Sequence, residues 1–125
     1  MATDRTSKLI AIIDDDEAMQ DSLRDLLEAA GLAARWFGSA LEFLKSDLHS
    51  KAACLIVDVR MPKMSGLELQ TRLKEDESNV PIIFITAHGD ARMRIQAMRR
   101  GAVEFLSKPF DHQLLLKRVR TALSM

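Results

Sequence analysis

The stretch AACLIVDVRMPKMSG, Ala52 to Gly66, decides how the rest of the chain is read. An apolar run, Ala52 to Val57, ends on a single carboxylate, Asp58. The run is too short for a helix, holds the β-branched Ile56 and Val57, and is followed by the turn signal Met61-Pro62, so it reads as a buried strand. Ser65-Gly66-Leu67-Glu68 then has the capping-box spacing that opens a helix. A charge at the end of a buried strand is costly unless something there uses it. Asp58 is therefore the first candidate for chemistry.

Outward from this stretch the same alternation repeats. Lys8 to Ile13 is an apolar run stopped by Asp14-Asp15-Asp16-Glu17. From Ala18 the apolar residues Met19, Leu23, Leu26, Leu27 and Ala30 keep helical spacing until Gly31. A weaker strand follows at Ala33 to Phe37, and Ser39 to Glu42 repeats the capping-box spacing, predicting a second helix to about Leu48. Beyond the helix opened by Ser65, Val80 to Thr86 reads as a further buried strand. Asp90 is expected to cap a helix with Met93 and Ala97 inward, joined by Ile95 and Met98, and ending at Gly101. Val103 to Leu106 reads as a short strand, and Asp111 to Leu123 as a last helix with Leu115, Val119 and Leu123 inward.

Strand then helix, five times, specifies a parallel sheet covered on both faces. The first, third and fourth strands are the most apolar and belong at the centre; the second, with Arg35 and Trp36, suits an edge. The expected fold is a doubly wound (βα)5, flavodoxin-like α/β sandwich with strand order 2-1-3-4-5, the order common to such folds. At 125 residues the chain is expected to be one domain spanning 1–125, long enough for its own core.

Composition narrows the function. Basic and acidic residues balance at 18 each, so net charge points to neither nucleic acid nor membrane. The balance conceals eight basic against three acidic residues from Asp90 onward, which solvated basic helix faces explain. The single cysteine, Cys54, sits in an apolar run and reads as a small core residue. No intrachain disulfide is possible, no membrane-length apolar stretch occurs, and the N-terminus lacks a signal-peptide core. A cytoplasmic protein is expected.

The polar residues at the strand ends then converge. In an open parallel sheet, ligands sit beyond the carboxyl ends of the strands. Asp14, Asp15 and Asp16 follow the first strand, Asp58 ends the third, Thr86-Ala87 ends the fourth, and Ser107-Lys108-Pro109 follows the fifth. Crowded carboxylates invite a hard cation, and magnesium needs only one or two protein carboxylates. Asp16 reads as a helix cap, leaving Asp14 and Asp15 as metal ligands. Phosphoryl transfer needs an in-line nucleophile and positive charge on the equatorial oxygens: Asp58 supplies the first, Mg2+ and Lys108 the second, and the Thr86 hydroxyl a hydrogen bond. Taken singly, Asp58 is as well read as a structural carboxylate paired with Lys108, Thr86 as β-propensity and Lys108 as loop. Their joint placement favours the site. His49, His88 and His112 lack ligand spacing.

The segments IIDDDEAM, LIVDVRMPKMSGLEL and PIIFITAHGDARMRIQAMRRGAVEFLSKPF, with the closing amphipathic helix, resemble the receiver domain of bacterial two-component response regulators. The last two segments are most similar to the FixJ-type branch, whose receivers usually precede a helix-turn-helix DNA-binding domain. The resemblance implies that Asp58 is the phosphoacceptor for a sensor histidine kinase. It implies a Mg2+ site of Asp15, Asp14 through water, Asp58 and the backbone carbonyl of Arg60. Thr86 and Lys108 are implied to bind the phosphoryl oxygens, Ala87 to leave room for them, and Thr86 with Phe105 to form the switch. The Lys108–Pro109 bond is implied to be cis. Phosphorylation is implied to act at the face of the fourth helix, fifth strand and fifth helix, where such receivers dimerise or meet their output. Gln20 departs from an arginine carried by many members, and Arg60 and His88 occupy positions that tune phosphoryl loss.

Catalysis is then confined to the protein's own phosphorylation and dephosphorylation. A haloacid-dehalogenase-like phosphatase needs a second aspartate where Arg60 stands, and the G-x-x-x-x-G-K signature of P-loop enzymes is missing. Direct DNA binding is not expected, because Arg92, Arg94, Arg99 and Arg100 spread around their helix. The alternative is a stand-alone receiver serving as a phosphorelay or protein-interaction module; the chain stops where a FixJ-type protein begins its linker.

Overall fold

The computed structural model describes residues 8–87 and 91–124. Five strands, β1 (Leu9–Ile13), β2 (Ala33–Phe37), β3 (Cys54–Asp58), β4 (Ile82–Thr86) and β5 (Glu104–Ser107), form one parallel sheet in the order β2-β1-β3-β4-β5. Five helices alternate with them: α1 (Glu17–Ala29), α2 (Ala40–Lys45), α3 (Gly66–Glu75), α4 (Ala91–Arg99) and α5 (His112–Leu123). The doubly wound (βα)5 fold expected from the sequence is the fold observed.

Alternation along each strand divides the core in two, since successive side chains point to opposite faces. Ala11, Ile13, Leu55, Val57, Ile82 and Phe84 pack with Phe43 of α2, Leu69 and Leu73 of α3 and Ala97 of α4. Ile10, Ile12, Cys54, Ile56, Ile83 and Ile85 pack with Leu23 and Leu27 of α1 and Leu115 and Val119 of α5. Every residue of β3 and β4 is buried, as expected for central strands covered on both sides. Cys54 is a core residue whose thiol burial pushes up to about 12, which keeps it unreactive.

Helix starts at Asp16, Ser39 and Ser65 carry the caps expected of them, and Asp111, expected only as the first residue of the last helix, caps that helix as well. Asp16 accepts from the Ala18 and Met19 N–H groups, Asp111 from those of Gln113 and Leu114, and Ser65 with Glu68 closes a reciprocal capping box. At Ser39 the hydroxyl accepts from the Glu42 N–H. The expected cap Asp90 and the position of His88 lie outside the described residues.

Two expectations are corrected. The second helix ends at Lys45 rather than near Leu48, and a 3-10 turn spans Asp47–Ser50. Ser46 makes the break: its backbone is extended and its hydroxyl accepts from the Leu48 N–H, capping the new turn. Ile95 and Met98 are not inward. They are 51% and 37% exposed, while α4 turns Ala97 to the core. Ile95 precedes Ala97 by two residues, about 200° around a helix, so the two cannot share a face.

Candidate functional site

The rim at the carboxyl ends of the strands is built by backbone ladders that run past the strands themselves. The Asp14 N–H donates to the Phe37 carbonyl, the Val59 N–H to that of Ile85, and the Lys108 N–H to that of Thr86. Asp14, Asp58, Thr86 and Lys108 are thereby brought to neighbouring strand ends. Asp14 (0% exposed), Asp58 (7%) and Thr86 are buried, Asp15 and Ala87 are exposed, and Lys108 is partly buried. The Lys108–Pro109 peptide bond is cis.

Asp14, Asp15 and Asp58 each offer a carboxylate oxygen within 4.8 Å of the others. The Lys108 ammonium lies 3.7 Å from Asp14 Oδ2. The ion pair foreseen as a plain structural role for Asp58 is thus made with Asp14, although the charge on Lys108 also acts on Asp58. Asp14 Oδ1 accepts from the Asp16 N–H (2.9 Å), and Asp58 Oδ1 from the Arg60 N–H (3.2 Å). Among the described residues the buried Asp14 Oδ2 has no hydrogen-bond donor, an arrangement that costs free energy unless a further partner is supplied.

Electrostatics follow from this crowding. Burial pushes the Asp14 carboxyl from its ordinary 3.8 up to about 6; the Asp16 N–H and Lys108 pull it down, and the Asp58 charge pushes it further up. Burial likewise raises Asp58, against the lowering effects of the Arg60 N–H and Lys108. Among the described residues two buried acids and one exposed acid face one ammonium, which leaves the rim short of positive charge. An all-oxygen donor set with an unsatisfied buried carboxylate oxygen is chemically suited to a hard divalent cation. The residues present therefore fit Mg2+.

Behind Asp58 the chain approaches itself closely. A Cβ on Gly66 would lie 2.5 Å from the Asp58 carbonyl oxygen and 3.0 Å from Val59 Cα, so only glycine allows α3 to start against the end of β3. The sequence reading used Gly66 only as part of the helix-start signal and missed this role. A glycine inside a capping box was the available clue.

Phe105 is buried, with its ring 6.3 Å from that of Phe84. Its backbone is clasped from both sides: the Phe105 N–H donates to Glu104 Oε1 (3.0 Å), and the Arg94 guanidinium donates to the Phe105 carbonyl (2.7 Å). Glu104 also takes Arg94 at 3.6 Å and Arg118 at 3.0 Å, joining α4, β5 and α5. Sequence reasoning did not single out Glu104. Its partners are 10 and 14 positions away, and only the fold brings them together.

A doubly wound sheet with a buried acid cluster facing a lysine at its carboxyl rim defines a known class of α/β signalling domain. The model of the response regulator receiver domain matches residues 10–120, and the chain belongs to that family. It is 46% identical over 123 residues to the response regulator protein TodT of Pseudomonas putida, covering 98% of this chain and 54% of TodT. It is 42% identical over 114 residues to the transcriptional regulatory protein FixJ of Bradyrhizobium diazoefficiens, covering 91% of this chain and 56% of FixJ. The crystal structure of FixJ-N superposes with a TM-score of 0.83 at 36% identity, covering 94% of both chains. The response regulator StyR gives 0.86 at 43% identity, covering 94% of this chain and 59% of StyR. The relationship to the FixJ-type branch read from the sequence is shown by these matches. The chain spans about half the length of the curated relatives it matches. Receiver domains are signalling modules rather than enzymes acting on a pool of substrate. Among the described residues no helix is long and apolar enough to cross a membrane.

Proposed function

We propose that this domain is a phosphorylation-driven switch in which Asp58 accepts a phosphoryl group from a phosphohistidine on a sensor kinase. One Asp58 carboxylate oxygen attacks phosphorus, the P–O bond forms as the P–N bond breaks, and the electron pair leaves with the imidazole, which takes up a proton. The product is an acyl phosphate, reactive enough to serve as a transient signal. Asp14, Asp15, Asp58 and the Arg60 carbonyl would hold Mg2+, which when bound supplies positive charge to the phosphoryl oxygens. Lys108 contributes charge to the same oxygens, the Thr86 hydroxyl donates a hydrogen bond, and the small Ala87 leaves space.

The observation that carries this reading is the buried acid pair at adjacent strand ends, with one ammonium 3.7 Å from Asp14. Burial keeps water away from the nucleophile, and the shortage of cations makes the rim receptive to a metal and then to an anion paired with it. The added phosphoryl charge favours whichever conformation lets Thr86 and Lys108 both reach it, and a minor state needs only a few kcal/mol of differential contact to dominate. Phe105 beside Phe84 is the candidate moving element, and α4, β5 and α5 form the output face, through which phosphorylation changes self-association. The output is transcription, through a helix-turn-helix DNA-binding domain outside this chain, and the setting is cytoplasmic.

The test is labelling from a phosphorylated histidine kinase. Acid-labile phosphate is expected on the native domain and is abolished by Asp58→Asn; persistent labelling of that variant moves the acceptor elsewhere. Sedimentation with and without a phosphoryl mimic checks the output face. A rise in mass is expected, and equal masses in both states argue against dimerisation as the output.

A further inference from the structure

The chain's one tryptophan, Trp36, is placed on the edge strand β2 in register with Ile12 of β1. Its ring packs against the α1/α5 side of the core and passes over Gly38, where an added Cβ would lie 3.4 Å from Trp36 Cζ2. The indole N–H reaches beyond the end of β1 and donates to the Asp14 carbonyl at 2.6 Å. This is a short hydrogen bond for an N–H donor.

That carbonyl belongs to the peptide unit joining Asp14 to Asp15. The unit before it is held by the Asp14 N–H on the Phe37 carbonyl, and the unit after it by the Asp16 N–H on Asp14 Oδ1. Three consecutive peptide units are therefore each anchored, and Trp36 provides the middle anchor. Rotation of the middle unit would swing the Asp15 side chain relative to that of Asp14. Asp16 instead caps α1, its Oδ1 accepting from the N–H groups of Ala18 and Met19.

We infer that Trp36 is a positioning residue for the acidic rim: its indole N–H fixes the Asp14 carbonyl, and with it the relative placement of the Asp14 and Asp15 carboxylates that would hold the divalent ion. The inference rests on the metal reading given above. Groups that orient metal ligands without touching the ion set its affinity strongly, because ligand placement must be paid for at binding if it is not built in.

Because Trp36 is the only tryptophan, biosynthetic replacement of tryptophan alters this residue alone. β-(3-Benzothienyl)alanine keeps the bicyclic shape and lacks the N–H; 7-azatryptophan keeps both. Mg2+ affinity is measured by calorimetry on the metal-free native protein, the two substituted proteins and Trp36→Phe. The benzothienyl protein and Trp36→Phe are expected to bind Mg2+ about fivefold more weakly, the loss of one hydrogen bond, with the 7-aza protein close to native. A benzothienyl protein that binds Mg2+ as the native one does overturns the inference and leaves the metal reading standing. A native protein that takes up no Mg2+ overturns both.

Discussion

At the ends of β1 and β3 two buried carboxylates share one lysine, whereas on the α4–β5–α5 face one carboxylate takes two arginines. The two clusters use the same chemistry in opposite proportions. Burial dominates at Asp14 and Asp58 and raises both. At Glu104 burial also raises the carboxyl, but the Phe105 N–H, Arg118 and Arg94 together outweigh it and hold the group below its ordinary range. The first cluster is destabilised when its acids are charged and gains from any cation that arrives. The second is satisfied as it stands, and works as a brace between two helices and the edge strand. Reactivity and rigidity on this molecule differ by the count of cations around each acid.

The sharpest way to separate the clusters is pH. Asp14 has an ordinary value of 3.8 and a folded value of about 6. The stability it contributes is fully present below pH 3.8 and is lost as pH rises through about 6. Urea unfolding of the metal-free protein should therefore show a loss on the order of 1–3 kcal/mol between pH 4 and pH 7 from this group. Asp14→Asn should flatten that slope and raise stability at pH 7, while saturating Mg2+ should restore stability to the native protein. An unchanged slope in Asp14→Asn would mean the acid pair is not strained.

A smaller effect is expected where the backbone, not charge, shapes the rim. Gly66→Ala places a methyl group 2.5 Å from the Asp58 carbonyl oxygen, an overpacking that should cost about 2 kcal/mol and displace Asp58. Its denaturation midpoint should fall, with phosphate labelling slowed. A variant as stable as the native protein would show that α3 can shift freely.

The smallest effect belongs to the brace. Glu104→Gln removes two ion pairs whose arginines are partly solvated, and should cost roughly 1 kcal/mol or less. Labelling of Asp58 should be unaffected. A large loss of stability there would make the brace, not the rim, the energetically critical cluster.

The parts of the fold legible in the sequence are those governed by local rules. The apolar stretches Ala52 to Val57 and Val80 to Thr86 read as central strands, and the polar residues at their ends mark the rim. Caps at Asp16, Ser39 and Ser65 were readable because the acceptor and the donors it serves lie within three residues. What was not legible depends on distance in the chain. Trp36 and Asp14 are 22 positions apart, and Arg118 and Glu104 are 14 apart; nothing local marks either pair. Ile95 and Met98 misled because four apolar residues in one short helix looked like a single face, although helical geometry divides them. Ser46 was a visible breaker that the expected length of α2 ignored.

The most direct test treats the protein with acetyl phosphate in the presence of Mg2+ or of a chelator, and reads intact mass followed by borohydride reduction and peptide mapping. A single phosphoryl adduct that requires Mg2+ and maps to Asp58 is the expected result. An adduct that forms equally well in chelator, or that maps to any other residue, contradicts the account.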